Sequence, residues 1–274
     1  MSRPTVVVKL GGEVIRGSRL GAIARELAGL AALDDAGSGA RVVITHGGGP
    51  QTTALQQALG QKPDIVAGRR ITDDAALEAI KMAVAGVANV DLCAALLAEG
   101  LAPVGLHGAS AKVVRATRRP PRVVTGGGPH PIDFGHVGDV ASVNRELLEV
   151  LLAHGYSPVL ACLGADDAGR VYNINADIVA TRVAIAVGAT DLFLLMDVPG
   201  VLREVSDPSS RISRLTMDEA RRLIGAGAVA GGMIPKLEES FAALEGGVAR
   251  VHLLPGELAR AARDPGSVGT LLVP

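Results

Sequence analysis

The sequence contains no tryptophan, two tyrosines and three phenylalanines, so aromatic residues make up 2% of its 274 positions. That scarcity leaves few rings on which unpaired bases could stack. No charge of one sign dominates: 27 Lys and Arg face 28 Asp and Glu, for a formal net charge of -1. Such balance gives no global electrostatic reason to bind DNA, RNA or an anionic membrane. No uncharged run reaches the roughly 18 residues of a transmembrane helix. The apolar run that follows Pro4 is too short for a signal peptide and enters a strand at once. Cys93 and Cys162 are the two cysteines, both within apolar runs. They read as buried thiols of a reducing compartment, and no Cys/His cluster has the spacing of a zinc site. These absences lead to the expectation of a cytoplasmic protein with neither a nucleic-acid nor a membrane partner.

Hydrophobic residues form 48% of the chain and charged residues 20%. A chain of this length buries roughly 75% of its unfolded surface, in one large domain or two closely packed lobes. Short β-branched runs alternate with longer helical stretches. The strands are expected at Thr5–Leu10, Ala40–Thr45, Ala102–Leu106, Ser157–Ala161, Asp191–Met196, Arg250–Leu254 and Thr270–Val273. The helices are expected at Leu20–Leu33, Gln51–Leu59, Asp74–Leu97 (broken near Gly86), Arg145–His154, Asp177–Val187, Thr216–Ile224, Pro235–Leu244 and Glu257–Ala262. Apolar strands separated by amphipathic helices imply an α/β fold whose mainly parallel sheet is covered on both faces. Thr216 and Glu219 form a capping-box pattern, with Gly225 placed to close that helix. From His107 to Val143 the rhythm breaks into hairpins and loops, with short runs at Lys112–Ala116 and Arg122–Thr125.

Two strands end in glycine. Lys9 and Leu10 lead into Gly11-Gly12, and Thr45 and His46 lead into Gly47-Gly48-Gly49-Pro50 and then a helix. Glycine lets backbone amides approach an anion without Cβ interference. A helix N-terminus adds free N–H groups and the positive end of the dipole. Two such turns at one edge of a parallel sheet would form an anion cradle where open α/β sheets bind ligands. The repeat Gly126-Gly127-Gly128-Pro129 has no helical pattern after it and reads as a loop. Gly225-x-Gly227-x-x-Ala230 mimics a dinucleotide fingerprint but follows a helix instead of a strand, and Walker A, HRD and DFG sequences are absent.

Six motifs in order carry a family resemblance: VKLGG, HGGGPQ, GRRITD, NINAD at Asn173–Asp177, MDVPGVL at Met196–Leu202 and GGMIPK at Gly231–Lys236. Together they resemble the amino acid kinase family, above all its acetylglutamate branch, from Val6 to about Leu271. The resemblance implies a three-layer αβα sandwich of the carbamate kinase-like kind. It implies an N-terminal lobe over residues 1–175 for acceptor binding and dimerisation, and a C-terminal lobe over 176–274 for nucleotide, sharing one sheet. The implied reaction is transfer of a phosphoryl group from ATP, with Mg2+ held mainly by phosphates, to the γ-carboxylate of N-acetyl-L-glutamate. A carboxylate acceptor is already ionised near neutral pH and needs no general base. Two anions must nevertheless meet, so the site needs fixed positive charge.

Residue by residue, Lys9 and Lys236 match the family's catalytic lysines, and Asp177 matches the aspartate that orients them, although an aspartate there could also cap a helix. Gly48, Gly49, Arg70 and Asn173 match acceptor contacts, with Arg69 less favoured. Gly11, Gly12, Asp197, Val198, Pro199, Gly200, Val201, Leu202, Ala228, Val229 and Ala230 match nucleotide contacts, and no metal ligands are assigned. Two departures concern the acceptor side: Gly105-Leu106-His107-Gly108-Ala109-Ser110 replaces the usual Gly-Leu-Ser/Thr-Gly-x-Asp run, and Val90 follows Asn89 where a lysine is common. No extra helix precedes the first strand, which by resemblance implies a homodimer without strong arginine inhibition. Lys112, Arg115, Arg118, Arg119 and Arg122 crowd a stretch without acids. They read either as a solvated hairpin over the acceptor site or as a docking patch for an acidic carrier protein. Carrier-linked aminoadipate is therefore the second acceptor, and a non-catalytic amino-acid-binding regulator is the alternative of a different class.

Overall fold

Alternation along the first strand sets the architecture. Val7 enters one buried apolar cluster, while Val6 and Val8 enter another, because successive side chains of a strand point to opposite faces. The computed structural model describes residues 3–17, 19–32, 39–124, 126–204, 206–229 and 231–274. Eight strands form the central sheet: β1 Thr5–Leu10, β2 Arg41–His46, β3 Pro103–Leu106, β4 Ser157–Ala161, β5 Asp191–Leu195, β6 Arg214–Thr216, β7 Arg250–Leu254 and β8 Thr270–Val273. Their spatial order is β6-β8-β7-β5-β1-β2-β4-β3. Pairing is parallel throughout except between β7 and β8.

The helices Arg145–Ala153, Ala176–Val187 and Met233–Glu245 cover the Val7 face, whose cluster includes Leu148, Val183 and Phe241. The helices Arg19–Ala32 and Leu258–Arg263 cover the other face through Leu27 and Leu258. The result is the expected αβα sandwich. β1 pairs with β2 on one side and β5 on the other, so residues 1–175 and 176–274 share one continuous sheet.

One helical stretch serves both faces. Asp74–Ile80 continues through a π-helical segment, Lys81–Ala88, into Asn89–Ala98. Ile80, Ala83 and Val84 join the cluster of Val7, whereas Ala88, Leu92 and Leu96 join that of Val8. A π-helical turn changes the angle at which successive residues leave the axis, and here the segment marks the crossing. The expected break near Gly86 takes this form. By length and composition alone this stretch could cross a membrane, but one side of it, including Ile80, Val84, Leu92 and Leu96, packs into the two layers of the sandwich.

The seven expected strands all occur, with ends shifted by no more than one residue; β2 runs one residue later and so includes His46. The eighth, β6, has no counterpart among the expected strands. A second sheet orders Val171–Asn173, Leu163–Ala165, Val114–Arg118 and Gly138–Val143 side by side, and Ile65–Val66 pairs with Arg69–Arg70. The run expected at Lys112–Ala116 is thus displaced to Val114–Arg118. Of Arg122–Thr125, only Arg122 bridges, to Ile132, and Thr125 lies outside the described residues, as does Leu33 at the expected end of its helix. No helix follows Gly126-Gly127-Gly128. Gly227, at φ 71°, closes the helix Met217–Gly225 in place of Gly225: its N–H bonds Ile224 O and that of Ala228 bonds Leu223 O.

Candidate active site

The two glycine turns lie side by side because β1 and β2 are parallel neighbours, with Leu10 opposite His46. A Cβ on Gly12 would stand 2.6 Å from Pro50 Cδ and 3.2 Å from Gly49 N. Only glycine permits so close an approach. Gln51 Nε2 donates to Gly12 O at 2.8 Å and ties the turns together. Gly47 N donates to Leu10 O at 3.1 Å. On the far side of the second turn, a Cβ on Gly48 would meet Val84 Cγ2 at 2.6 Å. Gly11 and Gly49 face open space, apart from ordinary contacts around Gly11. Together the turns present a strip of unencumbered backbone at the carboxyl end of the sheet, beside the first turn of the helix Gly49–Ala58.

Three charged side chains converge beside this strip. Lys9 Nζ forms an ion pair with Asp177 Oδ1 at 2.8 Å, and Lys236 Nζ donates to Asp177 Oδ2 at 3.0 Å. Lys9 and Asp177 are buried, and Lys236 is partly exposed. Burial pushes the Asp177 carboxyl up, but the two ammonium groups outweigh it and hold the pKa at about 2. The aspartate is therefore an anion at neutral pH, and two cations meet at one point. Asp177 does not cap its helix, contrary to the alternative reading. Asn175 does so, accepting from Asp177 N at 3.0 Å, and Asp177 is thereby left free to face the lysines. Lys236 stands in the first turn of the helix Met233–Glu245, so the helix dipole and the ammonium act on the same region.

Arg70 and Asn173 are linked through Thr72. Asn173 Nδ2 donates to Thr72 Oγ1 at 3.1 Å, and Thr72 Oγ1 donates to Arg70 O at 3.3 Å. The Arg70 fork lies along the helix Gly49–Ala58, donating to Thr53 Oγ1 at 2.6 Å, to Gly49 O at 3.2 Å and to Gln56 Oε1. Burial draws its pKa down, which leaves a guanidinium charged at any physiological pH. Arg69 turns back to its own loop, donating to Ala67 O.

The stretch Asp197–Leu202 follows β5. Asp197 pairs with Arg19 at 2.6 Å; Val198 is exposed and Pro199 half-buried. Gly200, at φ 133°, lies so close to Thr270 that a Cβ would stand 2.6 Å from its Oγ1, which accepts from Val201 N at 2.8 Å. Leu202 bridges to Arg211. Val201 and Val229 belong to one buried cluster with Met196 and Leu215. Ala228 sits in the turn between two helices, and Ala230 lies outside the described residues.

The basic stretch is partly neutralised by acids from elsewhere in the chain. Lys112 and Arg115 both reach Asp167, Arg118 reaches Asp133, and Arg119 reaches Asp139. The Arg115 and Lys112 bonds hold Asp167 at about 2. Among the described residues, Arg122 alone of the five has no such pair. Three carboxylates thus offset three of the five positive charges, which fits the solvated hairpin and shrinks the surplus available to a docking patch.

Three polar groups that support the glycine turns are not evident from sequence: Gln51, His46 and Asn89. Gln51 is legible only as part of HGGGPQ and Asn89 carries no local signal, whereas a histidine closing an apolar strand just before three glycines signals a buried ring.

An α/β protein with a glycine-lined strip at its strand ends and two lysines on one buried aspartate is built to hold a polyanion. The sequence matches the amino acid kinase family over residues 4–255, and the chain belongs to that family. It is 58% identical over 273 residues to the acetylglutamate kinase of Sorangium cellulosum strain So ce56, covering 98% of this chain and 94% of that protein. Among solved structures it resembles the N-acetylglutamate synthase of Neisseria gonorrhoeae in complex with coenzyme A and N-acetyl-glutamate. That match has a TM-score of 0.80 at 25% identity and spans all of this chain but 60% of the other. The carbamate kinase of Giardia lamblia shares the fold, with a TM-score of 0.69 at 17% identity over 99% of this chain and 98% of that one.

Proposed function

We propose that this chain catalyses ATP-dependent phosphorylation of the γ-carboxylate of N-acetyl-L-glutamate, giving N-acetyl-L-glutamyl 5-phosphate. The observation that carries the reading is the pairing of Lys9 and Lys236 on opposite oxygens of Asp177, in a chain 58% identical to an acetylglutamate kinase.

The physical chemistry follows from charge. An acceptor oxygen forms a bond to the γ-phosphorus as the bond from that phosphorus to the bridging oxygen of ADP breaks. The attacking carboxylate carries no proton to remove, so no side chain acts as base. Lys9 and Lys236 offset the repulsion between carboxylate and phosphate and stabilise charge on the transferring group. Asp177 fixes both lysines, and being ionised it takes no proton from them. Gly48 and Gly49 offer N–H groups on the acceptor side, and Gly11 and Gly12 do so on the nucleotide side. Arg70 and Asn173 hold the acceptor's other polar groups, since a guanidinium fork matches a carboxylate. Asp197–Leu202, Ala228 and Val229 border the nucleotide. Among the described residues no three His, Cys, Asp or Glu side chains gather to hold a metal. Magnesium suits the phosphates and water, its usual ligands in such reactions.

Residues 1–175 serve the acceptor and residues 176–274 the nucleotide, in a cytoplasmic homodimer. Support for the dimer comes from Val87, Val90 and Leu97, each 62% exposed on one helical stretch, next to β3, the edge strand of the sheet. Apolar exposure flanked by an open strand edge is the kind of surface that pairs with a second copy.

The test is ADP release measured with N-acetylglutamate, glutamate, aspartate and aminoadipate side by side. N-acetylglutamate should be the preferred acceptor. Turnover of another carboxylate, with none of N-acetylglutamate, would overturn the acceptor and leave the mechanism.

A further inference from the structure

The π-helical segment and the triple-glycine turn meet at a buried polar pair. His46 ends β2 immediately before Gly47 and is wholly buried. Its Nδ1 lies 2.9 Å from Gly47 O, and its Nε2 lies 2.9 Å from Asn89 Nδ2. Asn89 Nδ2 also lies 3.1 Å from the carbonyl oxygen of Val159 in β4, which identifies that atom as the amide nitrogen. An amide nitrogen donates and a carbonyl accepts. The ring is therefore neutral, with Nδ1–H donating to Gly47 O and Nε2 accepting from Asn89. Burial lowers the imidazole to about 4 against the smaller upward pull of the Gly47 bond, so this tautomer persists through neutral pH. Gly105 of β3 leaves space for the pair, because a Cβ there would overlap Asn89 Oδ1.

We propose that His46 and Asn89 are positioning residues that aim the Gly48 amide into the phosphoryl-transfer site. In a trans peptide the carbonyl and the following N–H point in opposite directions. Holding Gly47 O toward the buried ring therefore turns Gly48 N–H away from the core. Among the described residues no acceptor bonds the N–H of Gly48 or Gly49, the first free donors of the helix Gly49–Ala58. Val84, from the π-helical segment, walls the other side of Gly48, and Asn89 stands where that segment ends. One irregular stretch of helix thus supplies both a wall and a hydrogen-bond anchor for the turn. π-Helical irregularities are frequent at functional sites, and this gives one a specific task. The inference rests on the function proposed above for its kinetic consequence, but not for its hydrogen-bond geometry.

The test compares ADP release and thermal unfolding for the wild type, His46→Leu, His46→Asn and Asn89→Asp. His46→Leu and Asn89→Asp should lower kcat by about tenfold to a hundredfold, the effect of a modest misplacement of a reacting group, with smaller changes in KM. His46→Asn, whose amide can still reach Gly47 O, should recover most of that loss. If His46→Leu does not fold, Asn89→Asp against His46→Asn carries the comparison. Wild-type kcat in every folded variant, or equal losses in His46→Asn and His46→Leu, would overturn the proposal. Nitrogen NMR gives a readout free of turnover: His46 should be protonated on Nδ1 alone from pH 5 to 8, and a proton on Nε2 contradicts the inference. Inactivity of the wild type toward N-acetylglutamate counts against the acceptor instead, and the variants are then compared on the carboxylate that the wild type does use.

Discussion

Asp177 divides its two carboxylate oxygens between Lys9, 2.8 Å from Oδ1, and Lys236, 3.0 Å from Oδ2. The lysines come from the end of β1 and from the helix Met233–Glu245, more than 200 positions apart in sequence, so the aspartate ties together side chains from distant parts of the chain. Asp177→Asn removes the charge that holds both ammonium groups. We expect kcat for ADP release to fall by roughly 10²–10³, as for loss of one preorganised electrostatic contact. Stability should fall by about 3 kcal/mol, because Lys9 is left buried without its anion. Steady-state kinetics and urea unfolding measure the two effects.

Acid should weaken the fold in two stages. The His46 imidazole titrates at about 4 in the folded chain against 6.5 in the open one, chiefly through burial. The unfolded chain therefore gains a proton first, and stability that is complete above pH 6.5 declines toward pH 4, by on the order of 3 kcal/mol. Asp177 and Asp191 act lower, each at about 2 against 3.8: burial raises them, but the lysines around Asp177, and His252 and Arg250 around Asp191, prevail. Their contribution is present above pH 3.8 and is lost as pH falls toward 2. Urea unfolding from pH 7.5 to 4.5 should show the first decline in wild type and a flatter curve in His46→Asn. An equally steep decline in both contradicts the assignment.

The Gly48–Val84 contact predicts a rescue. Gly48→Ala places a methyl 2.6 Å from Val84 Cγ2, so the turn must shift at a cost of about 1–3 kcal/mol. We expect kcat to fall in Gly48→Ala and to recover in part when Val84→Ala makes room. A double-mutant cycle on kcat and stability measures the coupling, and strict additivity would contradict it.

Much of this was legible in the sequence, and the losses have physical causes. Strands such as β1 and β5 announce themselves because burial on both faces requires unbroken apolar runs. β6 did not: its three residues, Arg214–Thr216, carry too little pattern, and Thr216 was already claimed by its role as an N-cap. The second sheet pairs short segments distant in sequence, such as Val171–Asn173 with Leu163–Ala165 and Arg115 with Ala165, and no local signal encodes such pairing. Asp177 was legible through its motif, but its freedom from capping depends on Asn175 two residues earlier. The acids that pair with Lys112, Arg115, Arg118 and Arg119 lie outside the basic stretch, so sequence alone leaves its two readings open. The link from His46 to Asn89 joins a strand to a helix 43 residues away and was invisible for the same reason.

The proposed dimer gives a prediction of its own. Val90, 62% exposed, stands on the apolar helical face beside β3. Val90→Asp should convert a dimer into a monomer by light scattering, since an unpaired charge in a desolvated interface is strongly disfavoured. A monomeric wild type, or an unchanged mass in the variant, would contradict the assignment of that face.

If cations, with no base, carry the reaction, Lys9→Ala must lose most of it. The measurement is kcat for ADP release with saturating ATP and N-acetylglutamate, on protein shown to be folded by circular dichroism. A fall of roughly 10²–10³ is expected. A folded Lys9→Ala protein that turns over at the wild-type rate would contradict it.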